Sequence, residues 1–256
     1  MRLRFLGTGT SFGVPVVGCG CVVCRSADPR NRRSRHALLL SDGERRLLVD
    51  TPPELRLQLL AADVRRLDAV YLSHAHADHL HGIDDLRALT GSGPLPLHAA
   101  EEHAAEVRAR FPYFLGAERS RQPGTVLPDL DLRPFRDREE IVAGGFRLRT
   151  IGFPHGATTS YGFRCGGLAV IIDGKRVPED AWPLLAGADT LVMNALWRGK
   201  PHATHFTVDE AVSVAARCGA ARTWLTHLTH RVDHGPLEAT LPAAVRLARD
   251  GLEIEV

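Results

Sequence analysis

The 256-residue chain predicts a layered α/β sandwich, and three observations carry that expectation. Short β-rich segments recur along the whole sequence. Several are apolar throughout, as strands covered on both faces tend to be. Helix-start signals lie between them, so strands and helices are mixed rather than segregated. Neither an internal repeat nor a low-complexity linker interrupts the pattern, so residues 1–256 are expected to form one domain, long enough to bury a substantial core.

Taken in order, the strand segments are 3–6, 37–41, 46–49, 69–72, 146–151, 168–172, 190–193 and 223–226. Thr51-Pro52-Pro53-Glu54 reads as a helix start, with a capping threonine, proline in the first turn and a glutamate placed for a capping box. Thr207-Val208-Asp209-Glu210 repeats that logic, and its helix is expected to stop near Gly219. A further helix is expected over 241–250, capped by Thr240, with Pro242 in its first turn and Leu241, Ala244, Val245 and Ala248 at helical spacing. Residues 111–136, rich in proline, arginine and aromatics, read as a surface loop or lid.

A hydrophobic fraction of 44% and a charged fraction of 24% are ordinary for a soluble globular protein. Thirty-two basic and 30 acidic residues leave a net charge of +2, which predicts no strong field for nucleic acid. The N-terminus reaches glycine before a signal-peptide core forms, and no apolar run approaches membrane-spanning length. The expected location is the cytoplasm. In that reducing compartment the crowding of Cys19, Cys21 and Cys24 reads as metal binding; Cys165 and Cys218 read as small packed hydrophobes.

Five of the expected strands end at a potential ligand. One runs into His74, His76, Asp78 and His79; others lead to Asp50, His155, Asp173 and His227. Loops at one edge of a sheet converge side chains from distant sequence. His74 and His76 point the same way near a strand end and can share one metal, while Asp78 and His79 face a second after the next turn. Imidazole and carboxylate suit Zn, Mn or Fe. The opening Gly7-Thr8-Gly9-Thr10-Ser11-Phe12-Gly13 lacks the spacing of a nucleotide loop and reads as tight turns beside the site.

The ordered set His74, His76, Asp78, His79, His155, Asp173 and His227 resembles the metallo-β-lactamase-fold hydrolases. That resemblance spans essentially the whole chain and implies a four-layer αββα sandwich. It implies one metal on His74, His76 and His155, and another on Asp78, His79 and His227, with Asp173 bridging. Asp50 is expected to support the ligands from outside the set. Cys19, Cys21 and Cys24 supply three thiolates, one short of a closed zinc site, and His230 follows His227 by three residues. A Cys3His structural zinc is therefore expected.

The glycine-rich opening, the cysteine cluster and Leu225-Thr226-His227-Leu228-Thr229-His230 are together similar to the PhnP-like cyclic-phosphate phosphodiesterases, a member of which cleaves 5-phosphoribosyl 1,2-cyclic phosphate. The resemblance implies a dinuclear-metal hydrolase (Zn or Mn) that attacks a small, cyclic phosphodiester through a metal-bridging hydroxide. His205 is expected as general acid and Asp78 as a second catalytic group; Arg119 and Arg121 are candidates for clamping a terminal phosphate. The partner is then a small phosphorylated substrate, without nucleic acid or membrane, and a homodimer is compatible with the sequence. Three alternatives use the same scaffold: lactone or thioester hydrolysis, tRNA 3′ processing, and a non-catalytic carrier like coenzyme PQQ synthesis protein B. The chain departs from the phosphodiesterase pattern at Gly174-Lys175-Arg176 and at Asn194-Ala195-Leu196-Trp197.

Overall fold

The computed structural model describes residues 1–91, 93–116 and 124–256. Two seven-stranded sheets pack face to face. The first comprises β1 (Arg2–Gly7), β2 (Ala37–Asp42), β3 (Arg45–Val49), β4 (Ala69–Tyr71), β5 (Leu95–Ala100), β6 (Leu130–Phe135) and β14 (Glu253–Glu255), in the order β14-β1-β2-β3-β4-β5-β6. The second comprises β7 (Glu140–Ala143), β8 (Phe146–His155), β9 (Thr158–Cys165), β10 (Leu168–Ile171), β11 (Thr190–Asn194), β12 (Arg222–Thr226) and β13 (Val245–Leu247), in the order β13-β12-β11-β10-β9-β8-β7. Strands β3 to β6 run parallel, as do β10 to β13.

Alternation along each strand assigns its residues to two cores. Leu38, Leu40, Leu47, Val49 and Tyr71 meet Leu148, Phe163 and Val170 between the sheets. Their neighbours Leu39, Leu48 and Val70 face outwards, against helices at Leu55–Ala61, Glu101–Arg110 and Pro112–Leu115. Ala169, Ile171, Leu191 and Met193 face outwards from the second sheet, against helices at Trp182–Leu185 and Val208–Cys218. Both faces of each sheet are thus covered, which is why these strands lack polar alternation. The four-layer αββα sandwich is the observed architecture. No helix among the described residues is long and apolar enough to cross a membrane.

The helix Val208–Cys218 forms as its sequence predicts. Thr207 Oγ1 accepts the Glu210 N–H, Glu210 accepts the Thr207 N–H in return, and Gly219 ends the helix at φ 68°. Two expectations are corrected. The helix after Thr51 begins only at Leu55, because Pro52 and Pro53 occupy the preceding turn, and Thr51 Oγ1 donates instead to Leu80 O at 3.1 Å. No helix spans 241–250: Pro242 starts a turn, and Val245 and Leu247 pair in parallel with β12. A short apolar run satisfies either periodicity, and the open sheet edge decides it. The 111–136 segment is not one loop, since it holds the helix Pro112–Leu115 and β6; Arg119 and Arg121 lie outside the described residues.

Candidate metal centre and active site

The site lies where several strands of both sheets end. Strand β3 delivers Asp50, β4 the His74–His79 segment, β8 His155, β10 Asp173 and β12 His227. Asp50, Asp173 and His227 have left-handed backbone, at φ 65°, 43° and 59°. This conformation is uncommon for residues other than glycine; it turns Asp173 and His227 off their strand axes into a common cleft, and Asp50 towards His79 behind it. The cleft has a volume of about 380 Å³; its lining includes His76, Asp78, His155, Asp173, His205 and His227.

His74, His76 and His155 form one donor set. His74 Nε2 lies 3.0 Å from His76 Nδ1, which lies 3.3 Å from His155 Nε2. Nitrogens sharing a tetrahedral zinc stand about 3.3 Å apart, so these separations fit one ion. Asp78, His79, Asp173 and His227 form a second set. His79 Nε2 is 3.1 Å from Asp173 Oδ2 and 3.4 Å from Asp78 Oδ2, and His227 Nε2 is 3.2 Å from Asp173 Oδ1. Yet His79 Nε2, Asp173 Oδ1 and His227 Nε2 are buried and form no hydrogen bond. Polar atoms this close and unpaired share a focal point instead of bonding one another, as donors to a metal do. Asp173 also approaches the first set, at 3.8 Å from His74 and 3.9 Å from His155.

Electrostatics suit cation binding. Burial, reinforced by His79, holds His74 well below the usual imidazole range, and burial brings His155 down to about 4, so both are neutral donors near pH 7. Burial alone would raise Asp78 and Asp173. Neighbouring histidines outweigh it and hold both carboxyls well below the ordinary carboxylate range.

Asp50 is fully buried and carries no direct place in either donor set. Its Oδ2 faces His79 Nδ1 at 2.6 Å and accepts the Ser73 hydroxyl at 2.9 Å, while Oδ1 accepts the Ser73 N–H at 2.8 Å. It therefore fixes the His79 ring with Nε2 facing the cleft. Asp50→Ala should weaken metal binding by about 10- to 100-fold. Titrating chelator-treated protein with zinc checks this, and unchanged affinity would show that packing alone orients His79.

His205, on the loop before the helix Val208–Cys218, points Nε2 at Asp173 Oδ2 across 3.3 Å, and its ring lies 4.6 Å from that of His155. The structure thus brings together His74, His76, Asp78, His79, His155, Asp173, His205 and His227. Three supporting roles escaped sequence reasoning. Asn194 accepts the Gly174 N–H at 2.9 Å and donates to Gly174 O at 3.2 Å, clamping the residue after Asp173. Arg110 donates to Ala75 O, between His74 and His76. Arg33, 2% exposed, donates to Thr229 O at 3.1 Å and Val232 O at 2.9 Å, bracing the chain around His230. Position at the end of β11 could have flagged Asn194; the two arginines carry no local signal.

The cysteines and His230 form a separate cluster. His230 Nδ1 is 3.3, 3.7 and 3.6 Å from the sulfurs of Cys19, Cys21 and Cys24. Sulfur and nitrogen on one tetrahedral zinc stand about 3.5 Å apart, so the donors fit such an ion. The Cys24 N–H bonds to Cys21 Sγ at 3.4 Å and lowers that thiol's pKa, favouring the thiolate. The Val16 N–H approaches Cys24 Sγ at 3.3 Å. Leu228 N–H bonds to Thr8 O at 2.8 Å, which ties the glycine-rich opening to the His227 loop and leaves Ser11 on the cleft wall.

A four-layer sandwich with this ordered His/Asp set across its strand ends defines a metallo-β-lactamase-fold hydrolase. The chain belongs to that superfamily: residues 45–228 match the Beta-lactamase superfamily domain. It is similar to the crystal structure of a diphosphatase from the PhnP family, with 35% identity and a TM-score of 0.90 over 100% of this chain and 97% of that one. It is 34% identical over 258 residues to an octanoyltransferase of Porphyromonas gingivalis, covering 99% of this chain and 51% of that protein, so it spans about half that relative's length. It is 26% identical to a ribonuclease Z of Bradyrhizobium sp., covering 97% of each.

Proposed function

We propose that the protein is a phosphodiesterase that hydrolyses a small, cyclic phosphodiester at a dinuclear metal centre. The observation that carries this reading is the convergence of two donor sets on Asp173 at the floor of an open cleft. The kind of bond is suggested by the whole-chain likeness to a PhnP-family diphosphatase. His74, His76 and His155 would hold one Zn or Mn ion, Asp78, His79 and His227 the other, and Asp173 both; Cys19, Cys21, Cys24 and His230 would hold a structural zinc. Bound divalent metals supply Lewis-acid polarisation of the phosphoryl group and activate the attacking water.

The chain's own residues supply the rest. His74 and His155, buried and neutral near pH 7, can donate to a metal without first losing a proton. His205 stands beside Asp173 with Nε2 free to protonate a leaving alkoxide. The Asp50–Ser73 bonds and the Asn194–Gly174 clamp hold the ligand loops in place.

The test combines metal analysis with a substrate panel. The purified protein should hold about three metals per chain and hydrolyse bis(p-nitrophenyl) phosphate and a cyclic ribose phosphate. His205→Ala should keep the metals while losing roughly 100-fold or more on the cyclic substrate. Full metal loading without activity on either substrate would overturn the reading. The Porphyromonas relative favours a second reading, acyl ester or thioester hydrolysis; an octanoyl thioester in the same panel distinguishes it.

A further inference from the structure

The loop carrying His205 holds a second imidazole at the back of the first. Thr204 Oγ1 lies 2.8 Å from His205 Nδ1 and 3.2 Å from His202 Nδ1, and those two nitrogens are 3.4 Å apart. The proton positions follow from one backbone contact. The Thr204 N–H donates to His202 Nδ1 at 3.3 Å, so that nitrogen is an acceptor and carries no proton. The Thr204 hydroxyl can then donate to the same nitrogen, which leaves its oxygen to accept from His205 Nδ1. The bonds run in one direction: His205 Nδ1–H to Thr204 Oγ1, and Thr204 Oγ1–H to His202 Nδ1.

His202 is itself braced. Its ring meets the Trp197 ring edge-on, at 5.4 Å and 89°. The indole is fixed by a bond from Nε1 to Lys200 O at 3.0 Å, and the Arg231 guanidinium sits over it at 4.6 Å. The brace therefore starts beside His230 and ends at His205.

We infer that Thr204 and His202 are positioning residues that keep His205 protonated at Nδ1, so that Nε2 alone exchanges a proton with the substrate. This rests on the phosphodiesterase reading above. As the P–O bond breaks, its electron pair passes to the leaving oxygen, which takes the Nε2 proton. The His205 imidazolium becomes a neutral imidazole that retains Nδ1–H. A carboxylate commonly holds the inner nitrogen of a catalytic imidazole; here a hydroxyl backed by a neutral imidazole faces Nδ1 instead.

The inference predicts dependence on the leaving group. An alkoxide needs the proton, whereas p-nitrophenolate departs without it. Thr204→Val and His202→Phe should each lower kcat on a cyclic ribose phosphate by roughly 10- to 100-fold, and change kcat on bis(p-nitrophenyl) phosphate by less than about twofold. Thr204→Ser, which restores the hydroxyl, should recover the cyclic activity. Metal content and melting temperature are measured on every variant to confirm that the fold is kept. Equal losses on both substrates would mark a structural role and overturn the inference, as would no loss on either. His205→Ala is the control that separates the two levels. If it is selective for the cyclic substrate while Thr204→Val is not, the relay falls and the acid stands. If it shows no selectivity, the acid assignment falls and the relay with it.

Discussion

Asp173→Asn should strip the catalytic centre of metal and lower kcat/KM by roughly 1000-fold or more, about 4 kcal/mol of transition-state stabilisation. The carboxylate lies within 4 Å of the facing nitrogens of His74, His79, His155, His205 and His227. It is the anion around which the two donor sets are arranged. Asparagine is the informative replacement because it tolerates the left-handed backbone at this position better than alanine does. The loss then reports on charge, not on a distorted loop. The fold should survive, since asparagine nearly matches the aspartate in size and shape. Metal analysis beside steady-state kinetics checks the prediction. A variant that kept both catalytic metals and its activity would remove Asp173 from the centre.

Cys24→Ala should have the largest effect on stability. The lobe around the cysteines has a core of only Val14, Val23 and Cys24, with Val16, Cys19 and Cys21 partly buried beside it. So little apolar burial cannot hold a loop of this length, whereas a bound zinc can. Losing the proposed zinc should cost more than about 3 kcal/mol, and at about 3 °C per kcal/mol the melting temperature should fall by roughly 10 °C. One metal per chain should disappear with it. Activity should fall too, because His230 lies three residues beyond His227 and Arg33 ties down Thr229 and Val232 on either side of His230. An unchanged melting temperature and metal count would show that packing alone holds the lobe.

How much of this was legible in the sequence depended on what each residue reports. β2, β3, β4, β10 and β11 were readable because both faces of their sheets are covered and each has a continuous apolar run. β7 was not, as an edge strand with exposed Glu140 and Val142. Nor was β9, where Ser160, Gly162 and Arg164 interrupt the apolar run; Gly162 is needed because a Cβ there would lie 2.0 Å from Val170 O. The 241–250 error arises because the edge that recruits Val245 and Leu247 belongs to β12, outside the local window that periodicity reads. In the site, the ligand-type residues announced themselves by density and order. Asn194, Arg110 and Arg33 did not, because each acts on a backbone carbonyl or amide that only the tertiary fold brings near.

The left-handed backbone at Asp50, Asp173 and His227 sets folding against chemistry at three points. Glycine would adopt these torsions with less strain than aspartate or histidine, so a chain selected for stability alone would favour it there. The retained side chains therefore mark where stability has yielded to function. Random libraries screened for thermal resistance should drift first at these codons, and their most robust survivors should be inert.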